Sequence, residues 1–118
     1  MRASDALGRY GEDVAVRHLE ASGLVVLERN WRCDVGEIDI VARDGAALVV
    51  CEVKTRRSDG YGAAVEAVTA RKLRRLRRLA LRWLDAHDVH APEVRFDIVG
   101  VTQPLAGPPV IEHLRGVA

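Results

Sequence analysis

The chain has 118 residues, 48% of them apolar and only 4% aromatic, with a formal charge of +1. That length suits a single domain, 1–118, whose core is built mainly from Leu, Val, Ile and Ala. No apolar run approaches the roughly 20 residues that span a bilayer, and the N-terminus lacks the apolar stretch of a signal peptide, so a membrane role is excluded and a cytoplasmic location is expected.

In chain order, residues 4–22 read as a helix, with Ser4 or Asp5 as cap and Gly23 as stop. Three strands follow, "LVVLERNWR" (24–32), "VGEIDIVARD" (35–44) and "ALVVCEVKTR" (47–56). Asp44-Gly45 is a turn signal, so these strands form an antiparallel meander. "RSDGYGAA" (57–64) reads as a polar, glycine-containing loop. A second helix covers 69–87, "EVRFDIVGV" (93–101) is a fourth strand, and "VIEHL" (110–114) is a short fifth one within a peripheral segment, 102–118. The third strand, the second helix and the fourth strand make a right-handed parallel crossover. The expected fold is therefore α/β, a mixed sheet of about five strands flanked by helices, in the order α-β-β-β-α-β-β. The third strand is central, which accounts for its apolar run from Ala46 to Cys51.

Charge is distributed unevenly. Seven of the eighteen basic residues lie between Arg71 and Arg82, where there is no acid; the remaining eleven face seventeen acids. On the second helix Leu73, Leu76, Leu79, Ala80, Trp83 and Leu84 share an apolar face, and Arg71, Arg75, Arg78 and Arg82 form a stripe beside it. Lys72 falls outside the stripe and points back towards the sheet. Cys33 and Cys51 have no metal-ligand spacing, and Cys51 reads as a buried thiol. His87 and His90 lack a further ligand set for zinc; a cation near the helix C-terminus is the simpler role.

Several acids break apolar patterns. Strand alternation puts Glu52 and Lys54 on the face of Leu48 and Val50. It puts Glu37, Asp39 and Val41 on one face of the second strand, with Ile38 and Ile40 opposite. Glu12 falls between the helical directions of Val16 and Leu19, towards the interior. His18, in the same arc, reads as a packed, hydrogen-bonded residue. Burying an unpaired charge costs several kcal/mol. Two readings follow: structural salt bridges, with Lys54 reaching solvent at a strand end, or carboxylates gathered around a cation. Oxygen ligands in modest number favour Mg²⁺ or Mn²⁺ over zinc.

Asp39, twelve residues, then Glu52-Val53-Lys54 resembles the PD-(D/E)XK nuclease core, with Ile38 where that motif has proline. The segments "GRYGEDVAVRHLEASGLVVLERNWR", "GEIDIVARDG", "LVVCEVKTR", "AVTARKLRRL" and "RFDIVGV" together identify the chain as a member of the YraN family of small bacterial proteins, similar also to archaeal Holliday-junction resolvases. The resemblance implies a restriction-endonuclease-like sheet and a metal-dependent DNA endonuclease acting on branched or recombination DNA. It gives Glu12, Asp39 and Glu52 to Mg²⁺ or Mn²⁺, Lys54 to catalysis and Glu37 to a supporting place. Arg56, Arg57, Arg71, Lys72, Arg75, Arg78 and Arg82 are then phosphate contacts, and a homodimer is implied by the need to cut two symmetric strands. The alternative for the stripe is a solvated helix face. The alternative for the whole is a nucleic-acid-binding module without catalysis, or an interaction protein whose arginine helix docks an acidic partner. A glycosidase is disfavoured by the adjacent lysine and the scarcity of sugar-stacking aromatics.

Overall fold

The computed structural model describes residues 3–58 and 69–117. The chain runs α1 (Ala3–Ala21), β1 (Val25–Cys33), β2 (Gly36–Asp44), β3 (Ala47–Arg57), α2 (Ala70–His87), β4 (Glu93–Gln103) and β5 (Val110–Leu114), which is the expected element order. The strands form one sheet in the order β1-β2-β3-β4-β5. β3 and β4 run parallel and the other neighbours antiparallel, so the sheet is mixed and β3 is central. Most of the loop expected over 57–64 lies outside the described residues; Arg57 still belongs to β3. Among the described residues no helix is long and apolar enough to cross a membrane.

Each helix ends where its local chemistry requires. Past α1, the N–H of Leu24 bonds the Leu19 carbonyl and that of Gly23 bonds Glu20, with Gly23 at φ 94°. That is a Schellman stop, and Leu19 and Leu24 add the apolar contact that accompanies it. At the start of α2 the Thr69 side chain accepts the Lys72 N–H, and past its end Asp88 takes a left-handed conformation.

The sheet carries one core on each face. On one face Val14, Ala15 and Leu19 of α1 pack on Ile40, Val49, Cys51 and Val99 of the sheet. On the other Leu76, Leu79 and Trp83 of α2 pack on Ile38, Val41, Val50 and Phe96 of the sheet. Cys51 is buried and free, as its place in the apolar run suggests. Near the C-terminus of α2, the Trp83 indole donates to Glu28 Oε1 at 2.9 Å, and His87 stacks on Trp83 while its Nε2 lies 2.8 Å from the same oxygen. Arg82 pairs with Asp34 in the β1–β2 turn.

Simple alternation fails at one point in β2. Ile38 packs with Val41 under α2, whereas Ile40 packs with Ala42 under α1. Glu37, Asp39 and Val41 therefore do not share a face opposed by Ile38 and Ile40. The break lies at Asp39, where both neighbours of the strand are irregular. On one side the β2–β3 ladder stops at the Ile40–Cys51 pair. On the other, Asn30 sits between the Arg29–Ile40 and Trp31–Ile38 pairs at φ 55°. Asparagine is among the few residues that tolerate this left-handed conformation.

Candidate active site

Where β2 and β3 part, the Asp39 carboxylate takes over the role of the missing backbone acceptor. Its Oδ2 accepts the Val53 N–H at 2.8 Å. Burial pushes the Asp39 carboxyl up to about 6; the Val53 bond works against this, and the negative charges of Glu52, Glu12 and Glu37 add to it. Asp39 thus sits in the field of every acid singled out from the sequence. It faces a cleft of about 720 Å³ whose lining includes the acids Glu12, Glu37 and Asp39 and the cations Arg9, Arg32 and Lys54.

Glu12 reaches this cleft because α1 lies directly on β3. A Cβ added at Gly11 would fall 1.9 Å from Thr55 Oγ1, so the helix approaches as closely as its backbone permits. Glu12 is buried, and its Oε1 accepts from Asn30 Nδ2 at 2.8 Å and Arg29 Nε at 3.1 Å. Sequence reasoning passed over both of these donors. Their signal was a polar Arg-Asn pair inside a strand. Glu37 lies opposite Arg32 in the β1–β2 ladder, with a side-chain separation of 3.7 Å.

Glu52 belongs to the other side of the fork. Lys72 of α2 points back to the sheet, as its helical direction predicts, and brings Nζ to 2.6 Å from Glu52 Oε2. Lys54 stands 4.0 Å from the same oxygen and Arg75 3.8 Å from Oε1. Buried Oε2 nevertheless has no aligned hydrogen bond, so its contact with Lys72 is one of charge without good geometry. The Lys54 ammonium is held below its usual range, first by the neighbouring Lys72 and then by burial, with Glu52 and Asp39 opposing. Lys72 lies above its usual range: burial, the largest influence, works against the charge, but the Glu52 contact, the neighbouring Lys54 and the negative charge of Glu52 together outweigh it.

Among the described residues, no three acidic or other ligand side chains close on a single point. Glu12 is drawn to β1, Asp39 to Val53 and Glu52 to α2, a separation that like-charge repulsion favours. The donors are nevertheless of the chemical kind a hard divalent cation takes, although Glu52 is not among the residues lining the cleft with Glu12 and Asp39. They offer only oxygens, one of them a buried atom lacking an aligned hydrogen bond, and a carboxyl whose ionised form is penalised without a counter-charge.

The basic residues divide into three groups. Lys72 and Arg75 face Glu52, and Arg82 is engaged with Asp34. Arg71 and Arg78 are exposed on α2. Arg56 Nε lies 3.5 Å from Thr102 Oγ1, and Arg57 borders a small cavity with Gln103 and Leu105.

The model of the Uncharacterised protein family UPF0102 matches residues 11–101. The chain belongs to this family. UPF0102 is the YraN family that the sequence segments indicate. Its member from Frankia alni is 62% identical over 117 residues, covering 98% of this chain and 97% of that protein. The UPF0102 protein of Beutenbergia cavernae is 63% identical over 117 residues, covering 99% of each chain. That of Streptomyces griseus is 60% identical over 119 residues, covering 100% of both. The matched span of the UPF0102 chain holds Glu12, Glu37, Asp39, Glu52, Lys54 and Lys72. It also holds a second buried acid that sequence reasoning left without a role, Asp97, fully enclosed in β4. Its signal was the same as that of Glu52: an acid inside the apolar run "FDIVGV".

Proposed function

We propose that the chain is a metal-dependent DNA endonuclease of the PD-(D/E)XK type, cytoplasmic and directed at branched or recombination DNA. One observation carries the reading: Asp39 stands at the fork of β2 and β3, ionised only at a cost, facing a cleft that also presents Glu12 and Lys54. A protein that needed only stability would gain by replacing such a carboxylate.

In this reading Asp39 and Glu52 hold Mg²⁺ or Mn²⁺, with Glu12 from α1 completing the set. When bound, the metal polarises the scissile phosphate and lowers the pKa of a water molecule. Lys54, exposed at the cleft and close to Glu52, orients that water or meets the charge that develops on the phosphate. Its lowered pKa suits a lysine that handles a proton as well as a charge. Arg9 and Arg32 rim the cleft, and Arg71 and Arg78 extend the basic surface along α2. Such side chains grip phosphates and position a duplex without reading its sequence.

The test is cleavage of labelled branched, flapped and linear DNA with Mg²⁺ or Mn²⁺. Glu52→Ala and Lys54→Ala, each checked for folding by circular dichroism, are expected to lose at least about 100-fold in rate. Undiminished cutting by folded variants would sink the assignment. A second reading has its own support. With Lys72, Lys54 and Arg75 around Glu52, the cluster is already largely neutralised, as in a nucleic-acid-binding module without catalysis. Salt-sensitive DNA binding by wild type, with no cleavage in either metal, would select that reading instead.

A further inference from the structure

Lys72 occupies an unusual place for a lysine. It is the third residue of α2, in the first turn, where the exposed N–H groups and the helix dipole favour acids. This turn contains no acid at all, and Arg71 precedes Lys72. Local helix energetics therefore oppose the residue. Its side chain is only 16% exposed and ends 2.6 Å from Glu52 Oε2, an oxygen without an aligned hydrogen bond. Leu76, one turn on, and Leu79, Ala80 and Trp83 bury the helix that carries it against the sheet, so Lys72 is delivered to Glu52 by a packed element.

We infer that Lys72 is a built-in competitor for the divalent cation: its ammonium holds the Glu52 oxygen that the metal takes, and it sets how much metal is needed to load the site. The inference rests on the metal-dependent reading above and adds a residue that controls it. The charge logic is direct. A buried carboxylate needs a counter-charge in both states. Lys72 supplies it before loading, on a flexible four-carbon stem that can withdraw. A divalent ion supplies it after loading, with twice the charge. Arg75 is a weaker contributor, because its closest approach is 3.8 Å. The Lys72 contact is an ion pair at 2.6 Å rather than an aligned hydrogen bond, so what it supplies to Oε2 is charge, which a divalent ion supplies in larger measure.

Mn²⁺ binding to the full chain, followed by titration calorimetry and by loss of the free-ion paramagnetic signal, tests this without DNA or turnover. Lys72→Met is expected to bind Mn²⁺ at least about tenfold more tightly than wild type. Lys72→Arg, which keeps the charge and serves if the methionine variant folds poorly, is expected to stay within about threefold of wild type. Arg78→Met removes one positive charge from the same helix away from Glu52 and is expected to change affinity less than Lys72→Met. Equal or weaker binding by folded Lys72→Met overturns the competition and leaves the nuclease reading standing. Tighter binding without any DNA cleavage upholds the competition and removes the nuclease. If wild type and Lys72→Met both fail to bind Mn²⁺, the competition and the metal site fall together.

Discussion

At the scale of single residues, Asp39 ties stability to pH in a direction opposite to most carboxylates. Its folded pKa is pushed up to about 6 from an ordinary 3.8, chiefly by burial. The folded state therefore holds this proton more tightly than the unfolded chain. Stability falls as pH rises from about 4 through 6, and above that the ionised group costs about 2–3 kcal/mol. Asp39→Asn keeps an oxygen that can accept the Val53 N–H and removes the charge. It is expected to stabilise the chain by about 2–3 kcal/mol at pH 8 and by almost nothing at pH 4. Urea midpoints at the two pH values check this; a variant less stable than wild type at pH 8 means that the ionised carboxylate is compensated by a cation. The residue scale is also where sequence and structure part. The strand "GEIDIVARD" reads as regular alternation, but Asp39 marks a local break that sends Ile38 and Ile40 to opposite faces. Nothing in that strand signals the change, because its cause lies in other strands: Asn30 at φ 55° and the end of the ladder at Cys51.

At the scale of elements, the helices and strands lie within a residue or two of where hydrophobic periodicity, caps and turns place them. Those signals are local and are written within each segment. The approach of one element to another is not, and α1 on β3 is the example that matters for the site. Gly11 is the contact point, and its missing side chain is what lets Glu12 reach the cleft. A Cβ there would lie 1.9 Å from Thr55 Oγ1, 2.6 Å from Cγ2 and 2.7 Å from Cβ. Rotating the threonine cannot relieve the last of these, so the helix has to move. Alanine improves helix propensity by about 1 kcal/mol, while overpacking costs about 1–3. Gly11→Ala is thus expected to be neutral to about 2 kcal/mol destabilising and to loosen the Glu12–Asn30 bond. Gly8, one turn earlier, is the control: a Cβ there meets nothing within 4 Å. Gly8→Ala is expected to stabilise by about 0.5–1 kcal/mol. Thermal melts of the two variants separate close approach from propensity, since propensity alone would raise both midpoints.

At the scale of the whole molecule, Asp97 joins segments that are far apart in the chain. It is fully buried in β4, yet every part of its carboxylate is engaged. Arg95 donates to Oδ1 at 3.0 Å and to Oδ2 at 3.1 Å, Gly116 N–H to Oδ1 at 3.0 Å, and His113 Nε2 lies 2.8 Å from Oδ2. Arg95 continues to Asp44 at the end of β2, and His113 continues to His18 on α1 at 3.1 Å. Four elements and the C-terminal segment therefore meet at one charge. The sequence shows only that Asp97 breaks an apolar run; its partners, at positions 18, 44, 95, 113 and 116, share no spacing that announces them. Burial alone would raise the Asp97 carboxyl, but Arg95, the Gly116 N–H and His113 hold it below its usual range. Its contribution is accordingly present above the unfolded carboxylate pKa and lost as pH falls through the folded one. Asp97→Ala leaves the partly buried Arg95 and His113 without their shared acceptor. It is expected to cost about 3–5 kcal/mol at pH 7. The deficit relative to wild type should shrink on acidification, opposite in slope to the Asp39→Asn gain. Asp97→Asn separates shape from charge: it preserves volume but turns an amide N–H₂ towards donors, so it is expected to retain little of the lost stability. Urea unfolding of wild type and both variants at pH 7 and pH 3 decides the point. A cost for Asp97→Ala below about 1 kcal/mol at pH 7 means that the network contributes no more than an exposed ion pair.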